Sequence, residues 1–373
     1  MGNKKFKIKN SLGMFDLLKG TVMIIMILMH TYGIFDDVYT HPINLLWAIP
    51  MTFLGGASMP ALFIVSGYGF RKVSIDKCIN KQFHTLIIPY IITMIITLNV
   101  HLVSYYLLYG GKRYSLLKTM ELATSVCLGA TKDCLVKGIQ IVPVGPCWFL
   151  LSLFVGNVVL NQLLALFTGK KLFIALLITS TIGWLLGFLP FVPLGISQGL
   201  VAVFFIGLGY MIKKSKLFAK EINASKGIAV CLPIVVITVA LKVFHGEFNM
   251  AISQYTFGLI SILVEGVFAA VLIYVALLLN RFEGKLVNSI RILGRYSLYI
   301  LCVHTVEMIG FGKYIQYDFA TNWQGSVWIR SLIIFGLRSV LVGVGTFLLV
   351  RIKGSLQSAN IANLKRLIIK NGE

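Results

Sequence analysis

Apolar runs of about twenty residues, repeated along the whole chain and separated by short basic clusters, limit what this sequence can become. A run of that length, at about 1.5 Å per residue in a helix, crosses the hydrocarbon core of a bilayer. Such runs lie at 12–34, 43–70, 85–109, 147–167, 172–190, 196–212, 227–244, 253–279, 294–311 and 327–350. They predict an all-α, polytopic membrane protein with about ten transmembrane helices. The 373 residues would allow two or three soluble domains by length alone, but with 57% hydrophobic and only 13% charged residues the chain suits lipid-facing helices instead. No stretch of linker composition divides it, so 1–373 reads as a single membrane domain. The first run is too long for a signal-peptide core and lacks a small-residue cleavage site, which makes it a retained helix. A weaker, amphipathic run at 115–130 reads as an external helix at the membrane interface.

The formal net charge is +21, a value that first suggests nucleic acid. The distribution argues for membrane lipid and no nucleic acid, because the basic residues sit in the short clusters between apolar runs. With the N-terminus inside, 24 Lys and Arg fall in cytoplasmic segments and 6 in external loops, with Asp36 and Asp37 also outside. This bias predicts N-in and C-in, an even number of spans, and a multi-pass protein of the cell (plasma) membrane. The short basic tail Leu364–Lys370 is expected on the inner leaflet.

Of six Cys, Cys147, Cys231 and Cys302 fall in apolar runs and read as small hydrophobes, and Cys78 falls in a basic cytoplasmic loop. Cys127 and Cys134 share one external loop, as a disulfide or as two thiols. None has zinc-ligand spacing, so no metal is expected.

Ionisable groups within a bilayer are costly unless partnered, so each is a functional candidate. The first span holds Asp16, Lys19 and His30. Lys19 and His30 project from the same helix face, roughly 16 Å apart, one near each end of the span. Lys19 also reads as a snorkelling lysine, and His30 as an interfacial histidine bonded to a neighbouring helix. Glu265 lies near the middle of the eighth run. His304 and Glu307 are i,i+3 neighbours in the ninth, and Arg330 and Arg338 lie in the tenth. Phe63–Tyr68, with Ser66, and Pro146–Leu150 read either as cavity linings or as packing, and Gly55-Gly56 permits close helix approach.

Taken in order, these segments resemble acyltransferase family 3, the multispanning membrane acyltransferases, over nearly the whole chain. Phe15-Asp16-Leu17-Leu18-Lys19-Gly20 through Met29-His30 resembles the opening helix of that family, in which a basic residue precedes a histidine with ten residues between. Phe63–Tyr68 is similar to its F-x-x-S-G-[FY] segment, and Leu86-Ile87-Ile88-Pro89-Tyr90 to the start of its third span. Trp148-Phe149-Leu150 is similar to its W-F-L start of a later span, Phe204–Tyr210 to its F-F-x-x-G-Y turn, and Leu293–Leu298 through His304 to its late L-G-x-x-S-L…H segment. Asn249-Met250-Ala251 through Tyr255 resembles a branch that modifies sugars. Where members often carry two arginines three apart before the third span, this chain has Lys81 and His84.

The resemblance implies transfer of an acyl group, usually acetyl, from cytoplasmic acyl-CoA to a hydroxyl of an external glycan or its lipid-linked precursor. Acyl-CoA is then a co-substrate, and no permanently bound cofactor is expected. His30 is the implied catalytic residue, as general base or as an acyl-carrying nucleophile. Burial favours the neutral imidazole that a base requires. Lys19, Arg71, Lys72 and Lys81 are candidates to meet the CoA phosphates. Asp16, Ser66, Glu265, His304, Glu307, Arg330 and Arg338 are candidate supports, and Lys19, Ser66 or an intramembrane Arg would stabilise the oxyanion. Acceptor recognition falls to the external loops 109–146 and 312–327. Two other readings stand beside this one: a transporter or flippase for a glycan precursor or small solute, disfavoured by the lack of an inverted repeat, and a non-catalytic membrane sensor or assembly partner.

Overall fold

The computed structural model describes residues 13–32, 42–136, 138–219, 224–243, 248–312 and 326–370. Asp36, Asp37, the N-terminal lysines and most of the 312–327 loop lie outside them, as do the side chains of Cys231, Lys242 and the tail from 356.

Each apolar run carries a helix. The first two are α1 (Asp16–Tyr32) and α2 (Pro42–Gly69). Next, α3 (Ile75–Gln82) passes through a π turn (Phe83–Ile87) into α4 (Ile88–Tyr109). Gly110, in the left-handed conformation that ends many helices, then turns the chain into α5 (Lys112–Leu128), which folds back against α4. The hairpin β1 (Cys134–Val136) and β2 (Ile139–Ile141) leads to α6 (Trp148–Leu166), α7 (Gly169–Leu186), α8 (Ile196–Lys214) and α9 (Ala224–Val243). A second hairpin, β3 (Phe248–Asn249) and β4 (Gln254–Tyr255), precedes α10 (Leu259–Leu279) and α11 (Lys285–Arg295). The chain closes with α12 (Ser297–Thr305), a π turn (Val306–Phe311) and α13 (Val327–Lys370). Among the described residues six helices are long and apolar enough to cross a membrane, and a seventh span arises if the α11–α12 pair, bent by 69°, is counted as one. With 17 residues, α1 is shorter than that group.

Three boundaries differ from the sequence reading, and charge patterning explains them. The third helix begins at Ile75, ten residues before its apolar run, because α3 is amphipathic: Cys78 and Gln82 are buried while Lys77 and Lys81 face solvent. Cys78, expected in a cytoplasmic loop, is therefore a 1% exposed helical residue. The polar segment 285–295, expected as a loop, is α11, and α13 continues well past its apolar run as a 44-residue helix. Cys127 and Cys134 are free thiols and form no disulfide. The helix expected at 115–130 is present as α5.

The centre of the bundle is α8, whose Val201–Ile206 stretch is buried among α2, α6 and α7. Without a hydrophobic drive between helices in lipid, close backbone approach sets the packing. A methyl group added at Gly67 on α2 would run into the Ile206 carbonyl, and one at Gly209 on α8 into the Ile64 carbonyl. The Phe63–Tyr68 and Phe204–Tyr210 segments are thus two halves of one helix seam. At one end of the bundle α1 meets α11 in the same way through Gly20 and Gly294. At the other end Gln198 donates to the Thr131 hydroxyl (2.7 Å) and the Ala251 carbonyl (3.1 Å), tying two connections to the start of α8.

Candidate active site

A cavity of about 640 Å³ opens between α1, α4, α5, β2, the π turn after α12, and α13. His30, in the last turn of α1, sits on its wall. The His304 ring on α12 lies against it, with centroids 5.4 Å apart and planes inclined by 40°. One turn on, Glu307 falls in the π turn, a widened turn of the kind that gathers at functional sites.

Glu307 bridges two elements. One carboxylate oxygen lies 3.0 Å from Nδ1 of His304, confirming the i,i+3 contact, and the other lies 3.1 Å from Nε of Arg338. Both are contacts at ion-pair distance whose angles fall outside hydrogen-bond alignment. Arg338 is 2% exposed and among the largest fully buried side chains. It also donates from Nη1 to the His30 carbonyl (2.9 Å). That carbonyl belongs to the end of α1, where carbonyls have no partner within the helix, so Arg338 fixes the turn that carries His30. The result is a connected set, His30–His304–Glu307–Arg338, drawn from α1, from α12 with the π turn that follows it, and from α13. His304 is fully buried, and its Nε2 makes no hydrogen bond among the described residues.

The rest of the lining comes from α4 and α5. His101, Tyr105 and Tyr109 recur every four residues along one face of α4, and all three line the cavity. Tyr105 stacks on His101 at 4.1 Å, and Tyr109 meets Tyr114 of α5 edge-on at 5.4 Å. His101 Nδ1 pairs with the Thr119 hydroxyl at 3.0 Å. Lys118 and Glu121 form a 2.8 Å ion pair on the cavity wall. The hydrogen bond that Lys118 donates to Glu121 raises its pKa above the usual lysine value. This aromatic wall was absent from the sequence candidates, although the stripe at i, i+4 and i+8 was readable.

The other candidates lie elsewhere. Lys19 pairs with Asp16 at 2.7 Å, and Arg295 of α11 approaches the same carboxylate at 3.8 Å. This triad marks the α1–α11 seam, and none of its members lines the cavity. Arg71 and Lys72 are exposed in the connection before α3, and Lys81 is exposed on α3. That connection is held by Asn161 of α6, which accepts from the Val73 amide (3.1 Å) and donates to its carbonyl (3.0 Å). Ser66 is half-buried on α2, Glu265 is buried on α10, and Arg330 is half-buried on α13; none lines the cavity. Among the described residues no group of three or more His, Cys, Asp or Glu could hold a metal ion.

A helical multi-pass membrane protein with a histidine pair held by a buried carboxylate–guanidinium bridge is the class that fold and site define. The acyltransferase domain family matches residues 13–350, nearly the whole chain, and the protein belongs to that family, acyltransferase family 3. It is a membrane acyltransferase. Comparisons with curated proteins and with solved structures each returned no match.

Proposed function

We propose that the protein moves an acyl group, in the first instance acetyl, from cytoplasmic acyl-CoA to a hydroxyl of a cell-surface glycan or its lipid-linked precursor at the plasma membrane. The observation that carries this reading is His30: an imidazole on the wall of a ligand-sized cavity, with its backbone anchored by Arg338 and a second imidazole against its ring.

In this mechanism neutral His30 takes the proton of the acceptor hydroxyl as its oxygen attacks the thioester carbonyl. The carbon–sulfur bond then breaks, and the CoA thiolate leaves with the proton returned by His30. The developing oxyanion needs a fixed donor, and Arg338, which lines the cavity, is the intramembrane cation nearest to His30. Transient acylation of His30 is the alternative route on the same residue. The exposed cluster of Arg71, Lys72 and Lys81 would meet the CoA phosphates at the cytoplasmic surface, with Asn161 fixing its backbone. Lys19, neutralised by Asp16, has a weaker claim to that role than sequence spacing gave it.

The test is transfer of label from radiolabelled acetyl-CoA into envelope glycan, comparing membranes with the intact protein and with His30→Ala at matched levels. Loss of a general base lowers the rate by roughly 10²–10⁴-fold. Incorporation that survives in His30→Ala overturns the assignment of His30. A complete lack of protein-dependent transfer overturns the donor and acceptor proposed.

A further inference from the structure

The geometry points to the wall built by Tyr105 and Tyr109 of α4 and Tyr114, Lys118 and Glu121 of α5 as the subsite that selects the acceptor, and to an uncharged sugar ring as what it selects. The inference rests on the acyl-transfer reading of this cavity and adds the residues and the charge class.

Three observations support it. First, the tyrosines belong to the cavity and are more than a lipid-facing belt. His101 and Tyr105 are buried, and Tyr109, four residues on, lines the cavity with them, whereas Val103, Tyr106 and Leu107, on other faces of α4, are exposed and do not line it. Tyrosines of an interfacial belt would stand with that outer set. Second, Tyr109 and Tyr114 keep 50% and 45% of their surface exposed while lining the cavity, so their rings offer faces to a ligand. A sugar presents just such a combination, an apolar face of C–H groups to lie on an aromatic ring and a rim of hydroxyls to hydrogen-bond. Glu121 and Gln140 stand at the same wall to accept from and donate to that rim. Third, each Lys or Arg in the described lining already has a carboxylate partner, Lys118 in Glu121 and Arg338 in Glu307. An anionic acceptor would have to break one of these pairs, whereas a neutral ring leaves both intact. The volume, about 640 Å³, falls within the range of roughly 300–1,000 Å³ typical of small-ligand sites.

Binding and turnover are measured separately on the full-length protein in lipid nanodiscs. Saturation-transfer NMR is recorded with neutral methyl glycosides (glucoside, galactoside, rhamnoside) and with methyl glucuronide. The expected result is saturation of ring protons of a neutral glycoside, little for the glucuronide, and loss of the signal in Tyr109→Ala/Tyr114→Ala. His30→Ala should retain binding. In acetyl transfer to the glycoside that binds, Tyr109→Ala raises the acceptor KM roughly tenfold without a matching change in the acetyl-CoA KM, and Tyr109→Phe, which keeps the ring, restores it. Glu121→Gln, which breaks the ion pair and frees Lys118, shifts preference toward the glucuronide. Binding of neutral glycosides that survives loss of both tyrosines, or no binding to the wild type across the panel, overturns the subsite. Binding that depends on the tyrosines in a protein that transfers no acyl group keeps the subsite and overturns the proposed reaction. A change in the acetyl-CoA KM equal to that of the acceptor reduces the tyrosines to a structural role.

Discussion

Glu307 is a buried acid that touches an imidazole on one side and a guanidinium on the other, and its cost depends on both partners staying in place. Removing one member of a buried ion pair leaves an uncompensated charge and costs about 3–5 kcal/mol, whereas replacing both by neutral groups is often far milder. Arg338→Gln should therefore lower the thermal midpoint of the purified protein markedly, and Arg338→Gln/Glu307→Gln should recover much of the loss. Acyl transfer should stay depressed in both, because the His30 carbonyl has lost its donor. A double variant no more stable than the single one would mean that the bridge contributes little. At this scale the sequence was partly legible. His30 and the His304–Glu307 pair stood out because titratable groups in apolar runs are conspicuous, and their i,i+3 spacing survives in the fold. That Arg338, over three hundred residues from His30, closes the set was not legible, because nothing local in a sequence records which helices become neighbours. Lys19 is a different case. Helical spacing puts it on the face of His30, and the fold adds a partner three residues away, Asp16, at 2.7 Å.

The helices themselves were read from periodicity and length, and the discrepancies lie where polar residues sit on helices. The low mean hydropathy of α3 and α11 reads as loop, although each packs one face on the bundle. The Phe63–Tyr68 segment reads as cavity lining or packing and Phe204–Tyr210 as a family-like turn, and their glycines prove to be packing: Gly67 and Gly209 let α2 and α8 touch at the backbone. Gly67→Ala should force the two helices apart and cost about 1–3 kcal/mol or more, seen as a fall in monodisperse protein on fluorescence-detected size exclusion. Gly69→Ala, two residues on, meets nothing within 4 Å and is the matched control, expected to behave as wild type. Equal yields of the two variants would show that the seam tolerates separation. Asn161 works at the same scale. Asn161→Ala should loosen the connection carrying Arg71 and Lys72, raising the acetyl-CoA KM several-fold while leaving acceptor KM unchanged, provided the cluster meets the donor.

For the molecule as a whole, the proposed reaction needs a donor end and an acceptor end, and the chain has two unlike ends to offer. The N-terminal end of α1 lies with α11 and its Lys285, Arg291 and Arg295, while the C-terminal end of α1 carries His30 into the cavity roofed by α5 and β2. The basic bias of the sequence predicts that the first end lies in the cytoplasm. The orientation can be tested with two cysteines introduced one at a time into a variant whose Cys127, Cys134, Cys231 and Cys302 are replaced by Ser, leaving the buried Cys78 and Cys147. Leu135→Cys, on β1 beside the cavity, and Leu286→Cys, on α11, replace side chains that are 70% and 75% exposed. In intact cells a membrane-impermeant maleimide should label the first and not the second, and permeabilisation should expose the second. If the pattern is reversed, His30 and the tyrosine wall face the cytoplasm and the acceptor must be a cytoplasmic sugar, even though the site residues stay the same. The labelling thus separates the chemistry of the site, which rests on local geometry, from the direction of transfer, which rests on the distribution of lysine and arginine.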